Sequence, residues 1–159
     1  MWNHENPWHP IAVKALQSTS ASRTFQLRTL EVSDPEAFAD AFLTMATART
    51  EALLVLADPM LFVHRQRLAD LAINHRLPMM GNVRAYAGAG SLLSYWADRT
   101  DLSRRAASYV DRILNGASAG DLPIEQPTKF ELVINLKTAK ALGLTLPQSL
   151  LLRADEVIQ

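Results

Sequence analysis

The chain has 159 residues, 48% of them hydrophobic and 20% charged, the composition of a globular domain with room for a sizeable core. Sixteen basic and sixteen acidic residues leave a formal net charge of zero, so no charge excess points to nucleic acid or an anionic membrane. The absence of cysteine excludes disulfides, thiolate catalysis and cysteine-based zinc sites, and no apolar run reaches the roughly 20 residues of a membrane helix.

Short apolar runs alternate with helical patterns, which predicts an α/β fold of three layers, a mainly parallel sheet flanked by helices. A helix is expected over residues 7–17 with Ile11, Ala12, Ala15 and Leu16 on one face, followed by a strand over 25–32. Ser33 and Glu36 have capping-box spacing, Pro35 suits a first turn, and the helix they open carries Phe38, Ala41, Phe42 and Met45. The run 52–57, Ala-Leu-Leu-Val-Leu-Ala, reads as a strand near the sheet centre, covered on both faces. Asp58 and Pro59 end it and start a helix whose Leu61, Leu68, Leu71 and Ala72 share a face.

Further strands are predicted over 77–81 and 91–96. Thr100 can cap a helix that buries Leu102, Ala106, Tyr109, Val110 and Ile113 and stops at Gly116. Residues 117–127 read as a linker, 130–135 as a strand, and 136–142 as a helix closed by Gly143.

No constellation for catalysis emerges. Gly81, Gly88 and Gly90 lead into the extended pattern Ser-Leu-Leu-Ser-Tyr-Trp, whereas a phosphate cradle needs a helix N-terminus there. His4, His9, His64 and His75 lack metal-ligand spacing and are expected at the surface. No serine is placed beside a histidine and an aspartate in a recognisable arrangement. Asp98 and Asp101 fit a helix start, and Arg104, Arg105 and Arg112 a solvated face. The chain is therefore expected not to be an enzyme and to need no cofactor and no metal.

Binding is the better expectation. Ligands of open α/β sheets bind outside the carboxyl ends of the strands. Asp58 and the Asn82/Arg84 turn fall at two such ends, and the segment from Asn3 to Asn6 lies just before a helix whose free N–H groups could receive a carboxylate. An amino-acid-like ligand suits that set, with an acid for its ammonium group. The competing reading is that Asp58 and Asn6 only cap helices.

The stretch Glu125-Gln-Pro-Thr-Lys-Phe-Glu-Leu-Val-Ile-Asn-Leu-Lys-Thr-Ala-Lys-Ala-Leu-Gly143, with Leu-Thr-Leu-Pro-Gln-Ser-Leu-Leu after it, closely resembles the C-terminal signature of ABC transporter substrate-binding proteins of the tryptophan and tyrosine type. Looser likeness runs back through Tyr109-Val-Asp-Arg-Ile-Leu, Gly90-Ser-Leu-Leu-Ser-Tyr95, Leu54-Val-Leu-Ala-Asp-Pro59 and Trp2-Asn-His-Glu-Asn-Pro7. The resemblance implies a periplasmic-binding-protein-like (type I) fold, with a solute cleft between two lobes and delivery to an ABC permease. It maps the cleft onto Asn3, Glu5, Asn6, Asp58, Asn82 and Arg84. Residues 1–90 would be a second-lobe segment, 91–122 a crossover strand and helix of the first lobe, and 123–159 the return to the second.

The resemblance also implies periplasmic export, although the opening Met-Trp-Asn-His-Glu-Asn-Pro has no signal-peptide pattern. The chain is thus expected to be a C-terminal portion with the first lobe largely missing. Weak solute binding and self-association through the uncovered face of Leu102, Tyr109, Val110 and Ile113 follow. The other readings are an effector-sensing domain of a transcription regulator, which would need a helix-turn-helix before Trp2, and a non-functional fragment.

Overall fold

The computed structural model of the chain describes residues 1–21 and 23–159. Its apolar runs become five strands: β1 (Leu53–Leu54), β2 (Met79–Gly81), β3 (Leu93–Ala97), β4 (Phe130–Asn135) and β5 (Glu156–Ile158). They form one sheet in the order β1-β2-β3-β4-β5, with β1, β2 and β3 parallel, β4 antiparallel to β3, and β5 parallel to β4. The helices are α1 (His9–Ala21), α2 (Phe38–Thr47), α3 (Pro59–Val63), α4 (Arg65–Asn74), α5 (Arg84–Gly88), α6 (Arg99–Leu114), α7 (Leu136–Leu142) and α8 (Gln148–Leu151). The α/β architecture with a mostly parallel sheet is the expected one.

Backbone hydrogen bonds extend the sheet beyond β1. Met1 N–H donates to Leu54 O (2.7 Å) and Leu56 N–H to Met1 O (3.1 Å), the pattern of a parallel rung. On the far side Trp2 N–H donates to Leu30 O (3.0 Å), Val32 N–H donates to Trp2 O (2.9 Å), and Trp2 bridges Glu31 in parallel. Residues 1–2 therefore lie between 30–32 and β1. The chain moves outward from 1–2 to 30–32 and then returns to β1 on the other side. This reversal is a topological switch point, the position at the carboxyl ends of 1–2 and β1 where open α/β sheets form their crevice.

The main core packs α2, α3 and α4 against β1 and β2. Phe38, Phe42, Leu61 and Leu68 have no exposed surface, and Ala41, Met45 and Ala72 are buried beside them, as the helical spacing predicts. Farther along the sheet, Asn135 caps α7 by accepting from Thr138 N–H (3.1 Å) and donates its amide to Ala87 O (2.8 Å). Thr138 Oγ1 donates to Gly90 O (2.9 Å), so the start of α7 is pinned to the turn between α5 and β3. Gly143, in the left-handed region at φ 70°, closes α7 as expected.

Several local expectations give way to tertiary context. The buried positions of α1 are His9 and Val13, while Ile11 is 61% exposed and Ala15 is also at the surface. Of the predicted strand 25–32 only Glu31 forms a bridge, because segment 1–2 offers it a single rung, and Phe25 is exposed. Leu53 and Val55 are buried but Leu54 and Leu56 only partly so, so the run 52–57 is deeply covered on one face. Asp34 rather than Ser33 caps the short 3-10 turn Pro35–Ala37, and Asp98 rather than Thr100 caps α6. The helix after Pro59 breaks at His64 into α3 and α4.

The histidine expectation also changes. His64 and His75 are half-buried and lie against the rings of Phe38 and Phe42, and His9 is buried outright. α6 buries none of its residues: Leu102 and Tyr109 are half-covered, and Ala106, Val110 and Ile113 are exposed. It rests on the return segment, where Tyr109 Oη donates to Pro123 O and Arg105 reaches Glu125 and Thr128.

Gly81 shows how tightly the end of β2 is packed. A Cβ placed there would lie 2.2 Å from Tyr86 Cγ, so the Tyr86 ring sits directly on the Gly81 backbone. Gly81→Ala must displace that buried ring and should lower the unfolding free energy by about 1–3 kcal/mol. Gly88→Ala, where nothing lies within 4 Å, should not be destabilising. Urea titration of both variants against the parent chain checks this.

Candidate functional site

The crevice at the switch point is built by residues 3–9 from one side and by residues 57–61 from the other. Two side-chain turns shape the first segment: Asn3 Oδ1 accepts from Glu5 N–H (3.0 Å), and Asn6 Oδ1 accepts from Trp8 N–H (3.1 Å). With both carbonyl oxygens used this way, both side-chain amides face Asp58. Asn6 Nδ2 donates to Asp58 Oδ2 at 3.0 Å, and Asn3 Nδ2 lies farther from the two carboxylate oxygens, at 3.4 and 3.5 Å. Asn3, Asn6 and Asp58 thus converge at one sheet edge.

Asp58 also caps α3, its Oδ1 accepting from Met60 N–H (2.9 Å) and Leu61 N–H (3.2 Å). The capping and clustering readings therefore both hold for this residue. Burial alone would raise the Asp58 carboxyl, but donation from Asn6, Leu61, Asn3 and Met60 outweighs it and holds the group below the usual carboxylate range. The carboxylate is saturated with donors from its own chain.

His9, missed by the sequence reading, stands behind the turn. It is 3% exposed; Nδ1 lies 2.9 Å from Asn3 N, and Nε2 lies 3.0 Å from Ala57 O. The one signal for it was its position at the start of the helix that follows the Asn3–Asn6 segment. Of the helix N–H groups expected to receive a carboxylate, several are already taken or missing. His9 N–H donates to Asn6 O, Trp8 N–H to Asn6 Oδ1, and Pro10 has no N–H to offer.

The remaining predicted residues differ in what they offer. The Glu5 side chain is exposed and makes no ion pair among the described residues, and His4 is also exposed. Asn82, just after β2, has a buried Oδ1 with no partner among the described residues. Tyr86 likewise carries a buried hydroxyl without a partner. Burial pushes that phenol upward, the Asp58 carboxylate adds to the rise, and Arg65 offsets it in part, so its electrostatics are coupled to the crevice. Arg84 is held elsewhere, in a two-pronged pair with Glu156 on β5. That pairing raises Arg84 and lowers Glu156 through their mutual hydrogen bonds. Among the described residues no three potential ligands gather as for a metal ion.

A family model described as ABC transporter substrate binding protein matches residues 8–158. A tyrosine-binding protein of Clostridioides difficile (strain R20291) is 24% identical over 96 residues, which cover 60% of this chain and 28% of that protein. The ABC domain of Streptococcus pneumoniae, solved in complex with L-Trp, superposes with a TM-score of 0.83 at 22% identity, over 99% of this chain and 55% of its own. A conserved domain protein of Vibrio cholerae gives 0.84 at 23% identity, over 98% and 53%. A ligand-free, open substrate binding protein with adhesive properties from Clostridium difficile gives 0.78 at 17%, over 100% and 52%. The chain spans about half the length of these solved relatives.

The lowered Asp58 group makes the crevice sensitive to acid. A carboxyl whose folded-state pKa lies below its unfolded value stabilises the fold above the unfolded pKa, about 3.9, and loses that contribution as pH falls through the folded value. Asp58→Asn has no such dependence and turns an amide toward the amides of Asn3 and Asn6. The stability difference between the parent chain and Asp58→Asn should be constant above about pH 5 and shrink below about pH 4, as read by denaturant titrations across that range.

Proposed function

Because the chain belongs to the ABC transporter substrate-binding protein family, we propose that it takes part in import by binding a small amino-acid-like solute at the switch-point crevice. The observation that carries this reading is the convergence of Asn3, Asn6 and Asp58 at the carboxyl ends of adjacent parallel strands, the position where open α/β sheets receive ligands. The names of two relatives support the solute class, one a tyrosine-binding protein and one solved with L-Trp. In the whole protein the solute would be enclosed between two lobes in the periplasm and passed to an ABC permease. The two-lobe division at 91–122 is supported by α6, which buries nothing and is tied to the return segment rather than to the sheet. Its exposed Val110, Ile113 and Leu114 support self-association of this chain through the same face.

The proposal gives the polar groups separate tasks. Asp58, saturated by its own donors, holds the Asn3–Asn6 turn in place. Glu5, exposed and without an ion-pair partner, receives the solute ammonium group. Asn82 Oδ1, buried and unpartnered, accepts a further solute N–H, since an unmatched buried acceptor gains most from a new donor. Arg84 remains with Glu156 at the rim.

Titration of the isotope-labelled chain with L-tryptophan and with L-tyrosine tests the reading. Resonances of Asn3, Asn82 and Tyr86 should shift saturably, and Glu5→Gln and Asn82→Ala should each weaken binding roughly tenfold while leaving urea stability near that of the parent. Shifts confined to the α6 face, or affinity in both variants equal to that of the parent chain, would place the solute elsewhere.

A further inference from the structure

His9 is the least expected member of the crevice, and its two ring nitrogens have a determinate pattern. The Ala57 carbonyl can only accept, so Nε2, 3.0 Å away, must carry a proton. Nδ1 lies 2.9 Å from both the amide nitrogen and the carbonyl oxygen of Asn3. An unprotonated Nδ1 accepts from Asn3 N–H, and that amide has no other acceptor among the described residues. A proton on Nδ1 would instead leave the buried amide unsatisfied. The neutral tautomer protonated on Nε2 is the one form that satisfies both the Asn3 amide N–H and the Ala57 carbonyl.

We propose that His9 is a positioning residue for solute binding: as the Nε2–H tautomer it fastens the Asn3–Asn6 turn to the end of β1 without touching the solute. This rests on the switch-point crevice being the binding site. The backbone rung from Met1 to β1 reaches only as far as Leu56 N–H, and beyond it the two chain segments are joined by side chains alone. Asp58 makes such links on one side, to Asn6 at 3.0 Å and more loosely to Asn3 at 3.4 Å. His9 makes another on the buried side, between Asn3 and Ala57, the residue immediately before Asp58. The imidazole therefore sets the spacing between the Asn3 amide and the Asp58 carboxylate. Its ring is held edge-on to Trp2, with centroids 6.3 Å apart.

Two substitutions separate the links. His9→Asn keeps an acceptor near the Nδ1 position and loses the reach to Ala57; His9→Gln keeps a donor near the Nε2 position and loses the acceptor for Asn3. Nitrogen-15 spectra of the parent chain should show the Nε2-protonated tautomer. Hydrogen exchange at the Asn3 amide should speed up at least tenfold in His9→Gln and remain slow in His9→Asn, while amides of β1 and β2 keep their protection. L-Tryptophan affinity, read by the same titration, should fall at least tenfold in His9→Gln.

An Nδ1-protonated or doubly protonated ring, or unchanged Asn3 exchange in His9→Gln, overturns the clasp. Loss of protection throughout β1 and β2 reduces His9 to a core residue and overturns it too. Unchanged L-tryptophan affinity with the exchange effect present overturns the positioning role. If the parent chain binds neither amino acid, the binding reading fails while the tautomer and exchange results still decide whether the clasp exists.

Discussion

Everything at the crevice depends on one short stretch of backbone, the parallel rungs that residues 1–2 make with 30–32 on one side and with β1 on the other. Parallel pairing puts the carboxyl ends of neighbouring segments at the same edge, and the outward-then-return route of the chain leaves that edge open between them. Asn3 and Asp58 are 55 positions apart in sequence and meet only because of this pairing. A shift of one residue in the rung would turn Asn3 to the opposite face and remove it from Asp58.

The polar groups gathered there are mostly engaged with each other. Asp58 takes two backbone donors from α3 and the amide of Asn6, and the two asparagines spend their carbonyl oxygens on the turn itself. Such internal satisfaction fixes geometry before any solute arrives, which reduces the ordering cost of binding. Other groups stay open among the described residues: the exposed Glu5 carboxylate, and the buried Asn82 oxygen, Tyr86 hydroxyl and Trp2 Nε1. Under the proposed binding role, the saturation of Asp58 moves the expected solute contacts to these neighbours.

Long periodic segments were legible in the sequence. Phe38, Ala41, Phe42 and Met45 recur at helical spacing and are all buried, and strand 130–135 with its following helix and Gly143 lies where apolar content and the glycine place it. The convergence of Asn3, Asn6 and Asp58 could be argued from the strand end at Asp58, the helix start after Asn6 and the family resemblance. Other features could not. Ser33 and Asp34 are both good caps, and so are Asp98 and Thr100; the choice depends on where the helix axis enters, which packing decides. His9 reads as a surface residue until the Asn3 amide and the Ala57 carbonyl are brought to either side of its ring. Arg84 sits at a strand end but is drawn to Glu156, 72 positions away, which no local pattern announces.

α6 has a thermodynamic consequence of its own. Its 16 residues bury none of their side chains, and it is held by the Asp98 cap, by Arg105 paired with Asp101 and Glu125, and by Lys129 paired with Asp98. Solvent-exposed links of this kind are individually weak and screened by salt, unlike the dehydrated packing around Phe38 and Leu68. The helix is therefore a separate cooperative unit that opens at lower free energy than the sheet. Helical circular dichroism should begin to fade on heating, and sooner at high ionic strength, while the core is still intact, so that a single unfolding free energy describes the sheet but not the whole chain.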